Sequence, residues 1–490
     1  MIRTPSTHRN TSKASKASKA SKASGLPIPR PLAALAGLAF VLLLGGCAVG
    51  PAYQTPSTPQ PADFKEASGW QTAAPADTLE RGPWWQLFGD PRLDELVAAV
   101  EVSNQNVAAA VASYAQARAA VGEQRAALFP SVDLGAGANR SGGGGDTRSA
   151  SQYKLNIGAS WEPDVWGKLR AGANGAQAGA AASAADLAAA RLSAQGELAL
   201  DYFSLRQTDA QLALLEATVR GYARVLEITQ NRFGAGVAAR SDVLQAQTQL
   251  AGARVDLVGL ARQRAQLEHA IAVLLGKAPA EFSLAVAPWR ANVPEVPLVL
   301  PSTLLQRRPD IAAAERRVAA ANEQIGVARA AYFPSLSLSG SYGVAGSAVG
   351  GLLNASNSLW SLGLSAGQSL FNAGATAARV GGAEAGRDVA VAHYRQTVLA
   401  AFADVENQLA ATRALLQQQD LRRLASEAAD QVETQMLNRY RAGQVAYTEV
   451  VTAQNTALAA RRALIQSQAD RQTTAIALIQ SLGGGWHATP

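Results

Sequence analysis

The sequence predicts a mainly α chain with a small membrane β part, made from one structural unit used twice. Three observations carry the prediction. Residues 106–134 align without a gap on residues 310–338 with 13 identities in 29 positions, and both copies end in the same junction, Phe129-Pro130-Ser131 and Phe333-Pro334-Ser335. No proline occurs between Pro163 and Pro279, nor between Pro334 and Pro490, so each half has room for helices of unusual length, since an interior proline removes a hydrogen bond and clashes with the preceding turn. After each junction an alanine-rich helical pattern gives way to alternation of apolar with small or polar residues, the mark of a strand with one face buried.

A second block repeats in the same order. Asn231-Arg232-Phe233-Gly234-Ala235-Gly236, followed by Ser241-Asp242-Val243, matches Asn438-Arg439-Tyr440-Arg441-Ala442-Gly443, followed by Thr448-Glu449-Val450. The repeating unit is about two hundred residues, too long for a solenoid repeat. The two halves should therefore share one architecture.

Taken in order, residues 1–46 read as a secretory signal peptide. They hold seven bases (Arg3, Arg9, Lys13, Lys16, Lys19, Lys22, Arg30) and no acids, then an apolar run over residues 32–44, too short to span a bilayer. The formal charge of +7 is thus the charge of this segment, and the remainder is close to neutral, which gives no footprint for nucleic acid. Leu44-Gly45-Gly46-Cys47 follows, with the chain's single cysteine. It resembles a bacterial lipobox, and that resemblance makes Cys47 a lipidation site and the first residue of the mature protein. At ~0.8 kcal/mol per buried CH₂, two or more acyl chains anchor stably where one does not.

Residues 47–91 read as a lipidated N-terminal arm rich in proline, closed by Trp84 and Trp85, for which packing is the simplest role. Asp90-Pro91 reads as an N-cap with proline in the first turn, opening a helix over 92–128. Residues 92–276 form the first repeat: helix, hairpin, very long helix, turn, helix. Its strands alternate at Val132, Leu134, Ala136 and Ala138, then at Tyr153, Leu155, Ile157, Ala159 and Trp161. The long helix over about 168–231 would extend roughly 90 Å at 1.5 Å per residue. Beyond Gly236 the spacing Val243, Ala246, Leu250, Ala253, Leu257, Leu260, Arg264, Leu267, Ile271, Leu274 is a coiled-coil seam with Arg264 as its one departure. Five prolines mark residues 277–301 as the linker between repeats. Residues 302–485 repeat the architecture, with strands at Leu336, Leu338, Tyr342 and Val344 and at Trp360, Leu362 and Leu364, and residues 486–490 are a C-terminal tail.

Four strands in a membrane cannot close around a lumen, yet every backbone group in hydrocarbon must be paired. Several copies must therefore share one barrel, and three copies give an even-numbered, 12-stranded β-barrel. The long helices would continue the tube away from the membrane.

The residues also carry a resemblance. Trp84-Trp85-Gln86-Leu87-Phe88-Gly89-Asp90, Trp161-Glu162-Pro163-Asp164 with Gly167, Arg308-Pro309-Asp310-Ile311 with Glu315, Leu370-Phe371-Asn372 with Gly374, and the two Phe-Pro-Ser junctions resemble the outer membrane efflux protein family, the TolC-like and NodT-type channels. The resemblance implies a homotrimer in the Gram-negative outer membrane, with a 12-stranded β-barrel of four strands per chain on a long periplasmic α-helical coiled-coil barrel. It implies a passive exit duct of a tripartite pump, docked to a periplasmic adaptor and an inner-membrane resistance-nodulation-division pump. The lipobox adds contact with outer-membrane lipid and places the chain on the NodT-type branch.

By the same resemblance the two helix-helix turns form a tip that meets the adaptor, through Phe233, Gly236, Ser241, Tyr440, Gly443 and Thr448. Asp242 and Glu449 would form acidic rings at the aperture. A structural role competes with each: Gly236 and Gly443 suit left-handed caps, Ser241 and Thr448 can cap the next helix, and Asp242 and Glu449 are favourable beside its N-terminal dipole. Thr452 stands where some members carry a further acid.

No enzyme is expected, and no cofactor or metal. His8, His269, His393 and His487 are scattered without ligand spacing, and Gly142 to Gly145 lack the Lys-Ser/Thr of a phosphate-binding loop. Two other readings compete: a channel for type I protein secretion, against which the lipobox and Arg308-Pro309-Asp310 argue, and a pore-less coiled-coil lipoprotein, which leaves the hairpins unexplained. With Met1 and Met436 the only methionines, nothing points to a methionine-lined copper path.

Overall fold

The computed structural model describes residues 49–58, 61, 63–67, 83–142, 150–294 and 308–484. The signal peptide, Cys47 and the tail after residue 484 lie outside the described residues.

Asp90 caps the first helix, α1 (Pro91–Ser103), as its sequence predicts: the carboxylate accepts from the Arg92 and Leu93 amides at 3.0 and 3.3 Å, with proline at the first helical position. The single helix expected over 92–128 is two helices. Asn104 adopts an extended backbone (φ −68°, ψ 125°) and starts α2 (Gln105–Ala126), its Oδ1 accepting from the Asn106 and Val107 amides. Its Nδ2 donates to the Leu274 carbonyl at 2.8 Å, so a contact 170 residues away holds the break. Side chains of this type offer the backbone an alternative to the helix ladder.

Beyond each junction the chain enters one antiparallel sheet of four strands, ordered β1 (Ser131–Ser141), β2 (Ala150–Trp161), β3 (Ser335–Gly346) and β4 (Ser358–Gly367). The two hairpins are joined edge to edge, β2 to β3, in the register Gly158 to Ser341 and Trp161 to Leu338. Pairing puts Leu134, Ile157, Tyr342 and Trp360 in one row on one face. The other face carries Ser160, Ser339, Asn156 and Ser361, with Ser131 and Ser160, and Ser341 and Ser361, joined by hydroxyl hydrogen bonds of 2.9 Å. The apolar side chains are nevertheless exposed in the single chain, and β1 and β4 present open edges.

Gly167 (φ 77°) and Gly374 (φ 86°) turn the chain from the sheet into α3 (Lys168–Gly234) and α6 (Ala375–Arg441), each of 67 residues. At 1.5 Å per residue each is roughly 100 Å long. Each is followed by a 35-residue helix, α4 (Arg240–Leu274) and α7 (Tyr447–Ser481). Between them α5 (Pro309–Arg329) lies against both α3 and α6. The seam residues of α4 are buried or half-buried, as their spacing predicts.

The main apolar cluster sits midway along the helices. Trp84, Phe88, Leu93, Leu198, Phe203, Ile311, Val405 and Ile476 pack there, with Phe88 and Phe203 rings 5.0 Å apart. Trp84 packs and donates to Gln195 at 3.2 Å. Removing a fully buried leucine or isoleucine from such a core costs about 2–5 kcal/mol. The proline-rich segment after α4 is held rather than free: Glu268 accepts from the Leu284 amide, Trp289 donates to Gln472 at 2.8 Å, and Gln472 donates to the Arg290 and Asn292 carbonyls. The arm is held too, with Pro51 bonded to Asn322, Tyr53 to Glu315 and the Lys65 amide to Glu406. Among the described residues no helix is long and apolar enough to cross a membrane.

Candidate functional site

At the end of the molecule far along the chain from the sheet, the turns after α3 and α6 are built alike. Gly236 (φ 71°) and Gly443 (φ 73°) take the left-handed conformation that their sequence predicts. Their amides donate to Phe233 and Tyr440, and the next amides, Val237 and Gln444, reach back to Arg232 and Arg439. This paired arrangement satisfies the last free carbonyls of each helix.

Ser241 and Thr448 are not the caps of the following helices. The cap positions are Ala239 and Ala446, which have no side-chain acceptor, and Ser241 and Thr448 sit one residue inside the first turn. The left-handed turn fixes where the extended connection ends, and the helix starts before either hydroxyl could reach back. Asp242 and Glu449 stand at the third helical position, their amides donating to Ala239 and Ala446 at 3.1 Å. Their carboxylates are beside the free amides of the first turn, where negative charge is favourable. Asp242 is half-buried and Glu449 exposed.

The two turns differ in what they expose. Phe233 is exposed, whereas Tyr440 is buried, its ring 5.4 Å from that of Tyr447 and its hydroxyl 3.5 Å from Thr229 Oγ1. Arg232 lies over the Tyr440 ring at 4.9 Å and donates to the Arg441 carbonyl at 3.0 Å. This tether between the two hairpins was not expected from sequence, although Arg232 lies inside the repeated block. Burial pushes the Tyr447 phenol up to about 12, so it stays neutral.

Midway along, Asp209 is buried between two arginines. Its Oδ2 accepts from Arg206 at 3.0 Å and its Oδ1 from Arg264 Nε at 2.7 Å. Both arginines also donate to the proline-rich segment, at Ala285 and Leu284. Arg264, the departure from the apolar seam, is explained: it carries the charge that meets Asp209.

At the sheet end, Phe333 and Pro334 are half-buried, with Trp166 stacked on Phe333 at 4.8 Å and its Nε1 donating to the Pro334 carbonyl at 2.7 Å. Phe129 and Pro130 are exposed. Tyr332, Phe129, Trp161 and Phe371 place aromatic rings around this level, as at the interfaces of membrane barrels.

A sheet with an exposed apolar face, a serine-lined face and two open edges, continued by helices of this length, is part of a membrane β-barrel channel with a helical duct. The chain belongs to the outer membrane efflux protein family, whose model matches residues 96–277 and 300–484. It is 32% identical to the toluene efflux pump outer membrane protein TtgC of Pseudomonas putida, over 94% of this chain and 96% of that one. It is also 32% identical to the antibiotic efflux pump outer membrane protein ArpC of Pseudomonas putida, with the same coverage. In structure it is similar to the outer-membrane channel OprN, with a TM-score of 0.82 and 30% identity, covering 90% of this chain and 100% of that one. The fold class read from the sequence, mainly α with four membrane strands per chain, is that of these channels. The family is one of transport.

Proposed function

We propose that three copies of this chain form the passive exit duct of a tripartite efflux pump, loaded by an inner-membrane pump of the resistance-nodulation-division type through a periplasmic adaptor. The observation that carries the reading is the sheet. It has one apolar face that a single chain leaves exposed, one face mainly of serine, glycine and asparagine that also carries Asp133 and Lys154, and two unpaired edges; three copies would put twelve strands in a closed ring, apolar side to lipid and hydroxyl side to water. A pore-less coiled coil would leave that apolar face without a role.

The polar face of the sheet offers small hydroxyls with two charges per chain, Asp133 and Lys154, which suits a conduit that does not select strongly. Relatives named for toluene and antibiotics favour small organic compounds as cargo. Direction and selection belong to the pump. Cys47 carries the lipid anchor; at the start of the described arm the Val49 amide donates to the Trp166 carbonyl at 3.4 Å.

The tip meets the adaptor through Phe233, the backbone of Gly236 and Gly443, and the exposed first turns bearing Ser241 and Thr448, while Tyr440 stiffens the turn from inside. Asp242 and Glu449 give the aperture an acidic ring in the trimer and favour cations. Photo-crosslinking from Val237 and Ala239, both exposed, tests the reading in living cells. Capture of a periplasmic adaptor is expected. Capture of neighbouring copies alone would remove the docking assignment.

A further inference from the structure

Resting on the reading of a duct, we propose that each chain carries, in the duct wall just below the sheet, a binding recess for an amphipathic organic anion: Arg379 meets its charge, and Val165, Val327, Ala331 and Phe333 form the wall for its apolar body.

The recess has a volume of about 460 Å³ and lies between α5, the start of α6, the loop after β2 and the end of β4. That is the size of sites that hold small organic molecules. Beside the apolar wall, Gln324, Ser335 and Ser369 supply neutral polar groups. Four charged residues line the recess, Glu162, Asp164, Lys168 and Arg379, and the first three are already neutralised. Lys168 Nζ stands 3.1 Å from Glu162 Oε1. Asp164 accepts from Arg170 Nε at 3.1 Å and from the Leu169 and Arg170 amides at 3.0 and 2.8 Å. Arg379 is exposed and, among the described residues, forms no ion pair; Glu384, five residues on, is held by Arg329 at 2.7 Å. One uncompensated guanidinium beside an apolar wall suits a carboxylate or sulfonate on a hydrocarbon body, because its fork of donors matches the two oxygens.

The recess opens to the water side of the wall. Ser335, paired with Gly367, is in step with Ser339 on the hydroxyl face of the sheet. The arm runs along the other side of the same helices. On α5, Asn322 holds Pro51, and Gln324 and Ala331 lie about half a turn away around the helix. On α6, Arg395 holds Ser57, and Arg379 lies about 160° away at 3.6 residues per turn. The arm therefore leaves the recess uncovered, and a solute in the duct reaches it directly.

The duplication supplies an internal comparison. The first hairpin maps on the second with β1 shifted by 204 positions (131 to 335), and α3 maps on α6 with a shift of 207 (168 to 375). The counterparts of Val327, Ala328 and Arg379 are then Glu123, Gln124 and Gly172. In the first repeat the Gln124 side chain takes the space: a Cβ at Gly172 would stand 3.1 Å from its Oε1. Glu123 adds a carboxylate where the second repeat has Val327. The shared fold does not by itself make the site; the side chains of the second repeat do.

The test is equilibrium dialysis of 1-naphthoate against the full-length protein in detergent, with a detergent-only chamber to subtract uptake by micelles. Saturable binding of one anion per chain is expected. Arg379→Ala should weaken it by roughly ten- to a hundredfold, the size of hydrogen bonding to a charged group, and Arg379→Lys should restore part of the loss. Uncharged 1-naphthalenemethanol should bind with an affinity that Arg379→Ala leaves unchanged, and Ala383→Leu, which fills the recess from α6, should remove both ligands. Equal affinity for the anion in the native protein and Arg379→Ala, or uptake no greater than that of detergent alone, would overturn the recess. Bilayer conductance of the same preparation separates the two readings. A conducting protein without saturable binding loses the recess and keeps the duct, whereas saturable binding in a protein that does not conduct removes the duct and the recess's place in its wall.

Discussion

Asp209→Ala probes the charge cluster that locks the middle of the duct. The Asp209 side chain is 1% exposed and that of Arg206 5%, and both arginines donate to it at 2.7 to 3.0 Å. Removing the carboxylate leaves two guanidinium groups facing one another, with Glu268, 3.3 Å from Arg264, as the remaining acid of the cluster. Breaking a buried pair from one side costs about 3–5 kcal/mol, or roughly two to four orders of magnitude in the folding equilibrium. The cost should appear as a lower unfolding free energy in urea titrations at fixed protein concentration, since assembly makes stability concentration-dependent. Asp209→Asn should fall at the lower end of that range, because its amide oxygen still accepts from one arginine although its NH₂ faces the other. Adding Arg264→Ala to Asp209→Ala should recover part of the loss, because it removes one stranded charge. A loss below about 1 kcal/mol, the size expected of a surface ion pair, would refute the reasoning.

Asp201 gives a pH prediction. Burial, with Glu197 adding to it, raises its carboxyl to about 6, above the value of about 4 in an unfolded chain. The folded state holds the proton more tightly between those values, so stability falls as pH rises from about 4 to 6; Asp201→Asn should flatten that slope and gain on the native protein at pH 7, and an unchanged slope would contradict the assignment. Arg232→Ala removes the cation over Tyr440 and the bond to Arg441, and hydrogen exchange should show the tip opening more readily by about 1–2 kcal/mol, with no change counting against the tether. Glu449→Gln should shift the reversal potential under a salt gradient towards lower cation preference, and an unchanged potential would remove the acidic ring.

The strands were legible because alternation has a period of two and one face must remain apolar: Leu134, Ile157, Tyr342 and Trp360 fall in one row as their spacing requires. The 67-residue helices were legible from the absence of proline. The break at Asn104 was not, since it depends on the Leu274 carbonyl, and a Cβ at Gly276 would stand 2.3 Å from the Ser103 carbonyl; neither contact is local. Ser241 and Thr448 misled because a hydroxyl after a turn signals a cap, whereas here Gly236 and Gly443 set the geometry and alanines occupy the cap positions. Arg264 was visible as an anomaly in the seam, but Asp209, 55 residues earlier, could be found only in three dimensions. The proline-rich segment read as a linker, and composition could not show that Gln472 and Arg264 hold its carbonyls.

Planar bilayer recording of the purified full-length protein, with its oligomeric mass measured in the same detergent, tests the central claim most directly. A three-chain particle that conducts in discrete steps is the predicted result. A single-chain particle that inserts without conducting would contradict it.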